Sequence, residues 1–295
     1  MEFKEIKLSD KPLFDEYYKK HPQDMCFLGF SILYLCKDYL KCEFAVADGE
    51  IILKKGGNGR FPVNFSLPQT TKNEFKKALD MLICECGEDL RITALTASQK
   101  EFVEELYPGM FEFKESRDSA NYVYETEKMM SLAGKKLHGK RNHINKFKTL
   151  YPNWEYIEID NSNVYECVKV AERWFLEKED GDEEMVQELL TCKTALNNMN
   201  ELGFKCGAIR VDGKIIAFSV GEFLNPRMAH IIIEKADVNY PGAYTIINNE
   251  FLKRNFSSSQ FVNREEDVGV EGLRKAKLSY YPAYLIDVYS AKKIK

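Results

Sequence analysis

Apolar and polar positions along this chain follow two periods, and the periods come in an order that repeats. In the first half the pattern predicts a strand over 3–8, helices over 12–20 and 25–39, and a hairpin over 42–54 turning at Asp48-Gly49. A strand over 61–66, a helix over 73–86, a strand over 90–95, a helix over 98–107 and extended chain over 111–124 follow. The second half predicts a strand over 156–159, helices over 163–178 and 184–202, and a hairpin over 204–223 turning at Asp212-Gly213. Asp-Gly between alternating apolar residues is a strong hairpin signal, because both turn positions need φ > 0. A strand over 228–235, a helix over 242–255, a strand over 260–263, a helix over 271–280 and a strand over 283–289 complete the series.

The order β-α-α-β-β-β-α-β-α-β thus occurs twice, as two fused copies of one α/β unit would give. A length of 295 residues also favours two domains. The expected division is 1–130 and 131–295.

Charge marks the junction. The net charge is -4, but residues 134–151 carry six Lys or Arg and no acid, while each flanking part carries 18 basic and 23 acidic residues. Leu137, Ile144, Phe147 and Tyr151 fall within about 80° on a helical wheel, so a helix with one docked face is expected. Its basic residues, Lys136, Lys140 and Arg141 among them, read either as a neutralising linker or as a patch for phosphates. Gly134 to Lys140 matches G-x-x-x-x-G-K, yet Arg141 stands where a magnesium-binding hydroxyl is required, so a P-loop is not expected. His138 and His143 would lie about 140° apart on a helix and cannot share a metal.

With 44% apolar and 30% charged residues, the composition excludes disordered, fibrous and disulfide-stapled classes. No apolar run is long enough to span a membrane, and the N-terminus lacks the apolar core of a secretion signal. The eight cysteines form no C-x-x-C pair, so reduced thiols, a cytoplasmic location and no metal site are expected.

The doubled element order around a basic helix resembles a tandem pair of GNAT-type N-acyltransferase domains. The segment Leu273-Arg274-Lys275-Ala276-Lys277-Leu278-Ser279-Tyr280-Tyr281-Pro282-Ala283-Tyr284 resembles the closing motif of the C-terminal domain of phosphatidylglycerol lysyltransferases: an L-R pair, a lysine three later, an aromatic, a proline and another aromatic. The stretch from Phe261 to Gly269 and the basic helix resemble soluble relatives of that family. The resemblance implies an α+β fold of two GNAT-like domains, each a mixed, mostly antiparallel sheet flanked by helices and splayed to hold a donor. It implies transfer of an acyl or aminoacyl group to a nucleophilic acceptor. In the lipid enzymes the donor is aminoacyl-tRNA and the acceptor a lipid glycerol; their membrane-spanning half is lacking here.

Acyl transfer needs an anchor for the donor's phosphates, a base and an oxyanion partner. The GNAT anchor reads R/Q-x-x-G-x-G/A and opens a helix, whose N-terminus attracts anions. The matching stretch is Asn239-Tyr240-Pro241-Gly242-Ala243-Tyr244, which a plain Pro-Gly turn also explains. The first copy has Pro68 to Asn73 there, without glycine, so the second copy is expected to bind the donor. Glu234 and Asp267 are candidate bases, and Asn263 and Arg264 candidate donor contacts. The resemblance places Lys277 near the donor's terminal nucleotide and Tyr280 as acid for the leaving group, since a phenol of pKa ~10 can donate a proton.

Three functions follow as expectations: transfer from an aminoacyl-tRNA-like donor to an amine or hydroxyl, CoA-dependent N-acetylation, or a non-catalytic module binding an anionic partner through the basic helix. Aminoacyl-tRNA or acyl-CoA would be a co-substrate, with no cofactor tightly bound.

Overall fold

The computed structural model of the protein describes residues 1–57, 59–176 and 183–295. In chain order the elements are β1 (Lys4–Glu5), α1 (Lys11–Lys20), α2 (Phe30–Leu35), α3 (Lys37–Leu40), β2 (Glu43–Ala47), β3 (Glu50–Lys55), β4 (Asn64–Ser66), α4 (Lys72–Cys86), β5 (Arg91–Leu95), α5 (Ala97–Leu106), β6 (Phe111–Glu115) and β7 (Asn121–Glu125). They continue with α6 (Thr126–Ser131), α7 (His138–Leu150), β8 (Trp154–Glu158), α8 (Val164–Leu176), α9 (Glu183–Asn197), α10 (Met199–Leu202), β9 (Lys205–Val211), β10 (Lys214–Asn225), β11 (Met228–Ala236), α11 (Ala243–Asn255), β12 (Phe261–Asn263), α12 (Glu271–Leu278), β13 (Tyr284–Ile286) and β14 (Tyr289–Lys293). Among the described residues no helix is long and apolar enough to cross a membrane.

The chain forms two compact units. One comprises 1–122, 265–277 and 284–295, and the other 123–264 and 278–283. The sheet of the first runs β1-β2-β3-β4-β5-β14-β6, antiparallel except for β4 beside β5. Its core gathers Ile52, Leu79, Leu82, Ile92 and Val103 from β3, α4, β5 and α5. Thr71 with Glu74, and Thr96 with Gln99, form capping boxes that start α4 and α5.

The second unit repeats the plan. The strands β8, β9, β10 and β11 are antiparallel neighbours, β12 joins β11 in parallel, and β7 lies antiparallel to β12. The helix α11 lies against β9, β10 and β11 and buries Ile246, Ile247 and Phe251. Both predicted hairpin turns form, with φ of 50° and 84° at Asp48 and Gly49 and 47° and 81° at Asp212 and Gly213. Leu137 at the N-cap of α7, and Ile144 and Phe147 on it, are buried as the wheel predicts. The fold is α+β, with two mixed, mostly antiparallel sheets flanked by helices.

Three differences from the sequence expectation have local causes. The helix predicted over 25–39 breaks where the Gly29 and Cys36 backbones leave the helical region, leaving α2 and α3 as short pieces. The extended chain over 111–124 divides into β6 and β7, which serve different sheets. The last predicted strand also divides, and β14 inserts between β5 and β6. A single cut at 130/131 therefore does not describe the units: the C-terminal strand completes the N-terminal sheet, while β7 belongs to the second. The end of the helix predicted over 163–178 lies outside the described residues.

Candidate active site

In the second unit β11 and β12 pair at Met228↔Phe261, Ala229↔Val262 and His230↔Asn263, after which β12 ends and β11 runs on to Ala236. The two strands therefore part beyond His230. Alternation along β11 sends Lys235 to one face and Glu234 to the other. Lys235 pairs with Glu188 of α9 and stacks 3.3 Å from the Trp174 ring centroid. Glu234 turns to α11, where Asn248 Nδ2 donates to its Oε2 at 2.8 Å.

Arg264, the first residue after β12, reaches across the opening. Its Nη2 donates to Glu234 Oε1 at 3.0 Å, and its guanidinium lies 5.1 Å from the Tyr280 centroid and 5.9 Å from Tyr124. Burial works against that charge, and the Glu234 carboxylate, together with the Tyr124 and Tyr280 phenols, more than offsets it. Lys140, from the first turn of α7, places Nζ 3.9 Å from the Tyr280 centroid. Burial, then the nearby Arg264, push its pKa below the usual lysine range, against the pull of Glu234. Burial raises the pKa of the Tyr280 phenol, with Arg264 and a hydrogen bond from Thr245 opposing. The opening is thus walled by Tyr124 and Tyr280 and holds two cations and one carboxylate.

The corresponding parting of strands in the first unit, beside the single β4–β5 pair Phe65↔Ile92, is closed by neutral bonds. Gln99 Nε2 donates to the Leu67 and Pro68 carbonyls at 2.9 and 3.1 Å, and Ser66 and Thr93 hydroxyls meet at 3.2 Å.

Several residues singled out from the sequence therefore converge: Glu234, Arg264, Lys140 and Tyr280. Lys136 joins at the edge, 5.2 Å from the Tyr281 centroid. Asn263 is fully buried at the end of β12, in register with His230 and Val123. Gly242 lies against α7: a Cβ there would stand 2.9 Å from the His143 carbonyl oxygen and 3.1 Å from Phe147 Cβ. The basic helix and the Pro-Gly corner are packed together, the His143 backbone and the Phe147 side chain lying against Gly242. The Ala243 N–H donates to the Tyr240 carbonyl at 3.0 Å, and Asn239 donates its N–H and Nδ2 to Asp237 Oδ1, both at 3.0 Å. Asn239 and Ala243 thus serve the turn. Arg141 is likewise not set out for phosphate. Its Nη1 donates to the carbonyls of Leu132, the cap of α6, and, at 2.8 Å, Gly134 in the turn that follows.

Asp267 and Lys277 belong to the first unit. Asp267 is fully buried and accepts from Tyr122 at 2.6 Å, from Arg274 Nε and Nη2 at 2.8 and 2.7 Å, and from the Gly269 N–H at 3.0 Å. Those hydrogen bonds, Arg274 foremost, outweigh burial and hold the carboxyl far below the usual carboxylate range. A carboxylate so fixed is a poor base, and Asp267 is structural instead. Lys277 Nζ donates to the Glu266 carbonyl and stands 5.7 Å from the Tyr122 centroid.

Sequence reasoning missed Tyr124, Thr245 and Asn248. Its available signal was the polar group Asn248-Asn249-Glu250 between the apolar pairs Ile246-Ile247 and Phe251-Leu252 of α11, all of it buried. Asn249 Nδ2 serves the Met129 and Met130 carbonyls at 2.9 and 2.8 Å, which leaves Asn248 for the site.

The profile of the family described as "Phosphatidylglycerol lysyltransferase, C-terminal" matches residues 19–292. The chain is 33% identical over 178 residues to an uncharacterized protein of Mycoplasmoides gallisepticum, covering 60% of this chain and 57% of that protein. It thus spans little more than half of that relative's length. Among solved structures it resembles a conserved protein of unknown function from Bacteroides thetaiotaomicron, with 33% identity, TM-score 0.92 and 99% of each chain covered. It shares its fold with L-PGS from Bacillus licheniformis, with 14% identity, TM-score 0.65, and 96% and 92% of the chains covered. FemX shares the fold too, with 10% identity, TM-score 0.66, and 100% and 98% covered.

Proposed function

The chain belongs to the phosphatidylglycerol lysyltransferase C-terminal family, and from that premise we propose that it moves an aminoacyl group from an aminoacyl-tRNA-like donor to an amine or hydroxyl acceptor. The observation that carries this reading is the charged, aromatic-walled opening between β11 and β12, where Arg264 and Lys140 face Glu234 and Tyr280.

The acceptor's nitrogen or oxygen attacks the ester carbonyl, and negative charge gathers on the carbonyl oxygen. Arg264 and Lys140 are the cations available to that oxyanion in a site partly closed to water. The bond to the ribose oxygen then breaks, Tyr280 supplies that oxygen's proton, and the phenolate so formed takes up the proton that the acceptor's nitrogen or oxygen sheds, so that no net proton is gained or lost. The raised pKa keeps the phenol protonated at neutral pH, as a proton donor requires. Glu234 fixes the guanidinium and gives its own lone pairs to Arg264 and Asn248, so it serves as an orienting group rather than the base.

Two features favour an aminoacyl-tRNA over CoA. The N-terminal corner of α11 is covered by α7 and its Ala243 N–H is engaged. Lys135, Lys136 and Lys146 remain exposed around α7, a sequence-independent footprint for a phosphate backbone.

Filter retention of aminoacyl-tRNA against deacylated tRNA tests the reading. The charged form binds more tightly, and log K falls linearly with log salt. Equal retention of both forms, or a thermal shift with acetyl-CoA and none with aminoacyl-tRNA, would refute it.

A further inference from the structure

We infer that the acyl group taken at the β11–β12 opening is ranked by side-chain charge, acidic above uncharged above basic, so that the lysyl group of the family's name is rejected. This deepens the aminoacyl-transfer reading and rests on it.

A basic side chain needs a carboxylate, and Glu234 is already committed. Its Oε1 is held by Arg264 at 3.0 Å and its Oε2 by Asn248 at 2.8 Å. An incoming ammonium could take Glu234 by displacing Arg264, whose side chain is 13% exposed and would be left as a buried cation. Other carboxylates of this unit are also engaged: Glu222 lies 3.3 Å from His230 Nδ1, the residue in register with Asn263. Glu188 pairs with Lys235, which alternation along β11 directs to the opposite face. Asp237 accepts from Asn239 and lies 3.9 and 3.8 Å from Arg173 and Lys214. Glu250 lies within 4 Å of Lys148, Lys253 and Arg254.

The second cation has no such partner. Among the described residues Lys140 forms no ion pair, and its ammonium rests on the Tyr280 ring. An arriving ammonium meets two positive groups for one carboxylate, whereas an arriving carboxylate meets an unpaired one. An uncharged side chain gains neither attraction nor repulsion. Rejection by an unpaired like charge is a usual route to specificity. Arg264 is too enclosed to track a nucleic-acid backbone, a task left to the exposed lysines around α7.

One tRNA body charged with aspartate, alanine or lysine, and the same body deacylated, are compared by filter retention at fixed salt. Aspartyl-tRNA binds tightest, alanyl-tRNA next, and lysyl-tRNA about tenfold or more below the aspartyl form, near the deacylated body. In Lys140→Glu the order of the aspartyl and lysyl forms reverses. In Lys140→Met the gap narrows without reversing, and unchanged circular dichroism of both variants shows intact folding. Lysyl-tRNA as the tightest wild-type ligand overturns the inference and leaves the aminoacyl donor standing. Equal binding of the three, all above the deacylated body, also overturns it, because the side chain then lies outside the opening. No gain over deacylated tRNA for any form defeats the donor reading and this inference with it.

Discussion

Arg264 spans the parting of β11 and β12 to hold Glu234 at 3.0 Å, with 13% and 12% of the two side chains exposed. The ion pair occupies the space where a parallel ladder would otherwise continue. It keeps the parting of the strands polar rather than filled by apolar packing.

Breaking this pair from one side strands a buried charge. Glu234→Gln and Arg264→Gln are each expected to destabilise the protein by about 2–4 kcal/mol. The double variant loses clearly less than the sum of the two, which urea unfolding of the four proteins measures through the coupling energy.

Gly242→Ala tests the seating of α7. Gly242 has φ 95°, and its new Cβ would stand 2.9 Å from a backbone oxygen that cannot swing away. A loss of about 2–4 kcal/mol is expected from strain and overpacking together. Gly213→Ala, with φ 81° and nothing within 4 Å, carries strain alone and costs about 1 kcal/mol. Equal losses in the two variants would show that α7 does not press on the corner.

Tyr280→Phe removes the phenol and keeps the ring that Lys140 and Arg264 face. Turnover is expected to fall by roughly 10²-fold with donor affinity little changed, if the hydroxyl is the leaving group's acid. Steady-state rates and filter retention on the same preparation separate the two effects.

Donor binding responds to Lys140. Its pKa is lowered, so its positive charge is lost at a pH below the ordinary lysine value of about 10.4. Affinity for an anionic donor therefore declines as pH rises through that region. Lys140→Arg, which stays charged, moves the decline to higher pH, and retention measured across the alkaline range reads the shift.

Asp267 gives the opposite sign. Its folded pKa lies below its unfolded value, so its contribution is complete above the unfolded value of about 3.9 and is lost as pH falls toward the folded one. Asp267→Asn is expected to lower the melting temperature at pH 7. The difference from the parent shrinks as both are acidified below about pH 4. A difference independent of pH would show that the carboxylate's charge does not matter there.

Much of the site was legible because its members stand at positions that local rules mark. Glu234 follows an apolar run, and Lys140 lies beside the docked stripe of an amphipathic helix. Other assignments failed because partners distant in sequence decide them. Asp267 reads as one of three loop acids until Arg274 and Tyr122 close on it. Arg141 reads as one more basic residue until it is found on the carbonyls of the turn after α6. Asn248 could not be told from Asn249 by periodicity, since both are buried on α11.

Side-chain period and turn chemistry, which act over a few residues, determined the two hairpins, the face of α7 and the doubled order of strands and helices. Nothing so local distinguishes β7 from β6, or β14 from β13, because a strand's own pattern does not name its neighbour. Hydrogen bonding between remote segments decided that β14 completes the first sheet and β7 joins the second. The same long-range closure brought residues 140, 234, 264 and 280 around one opening, where their charges act on each other through a medium drier than water.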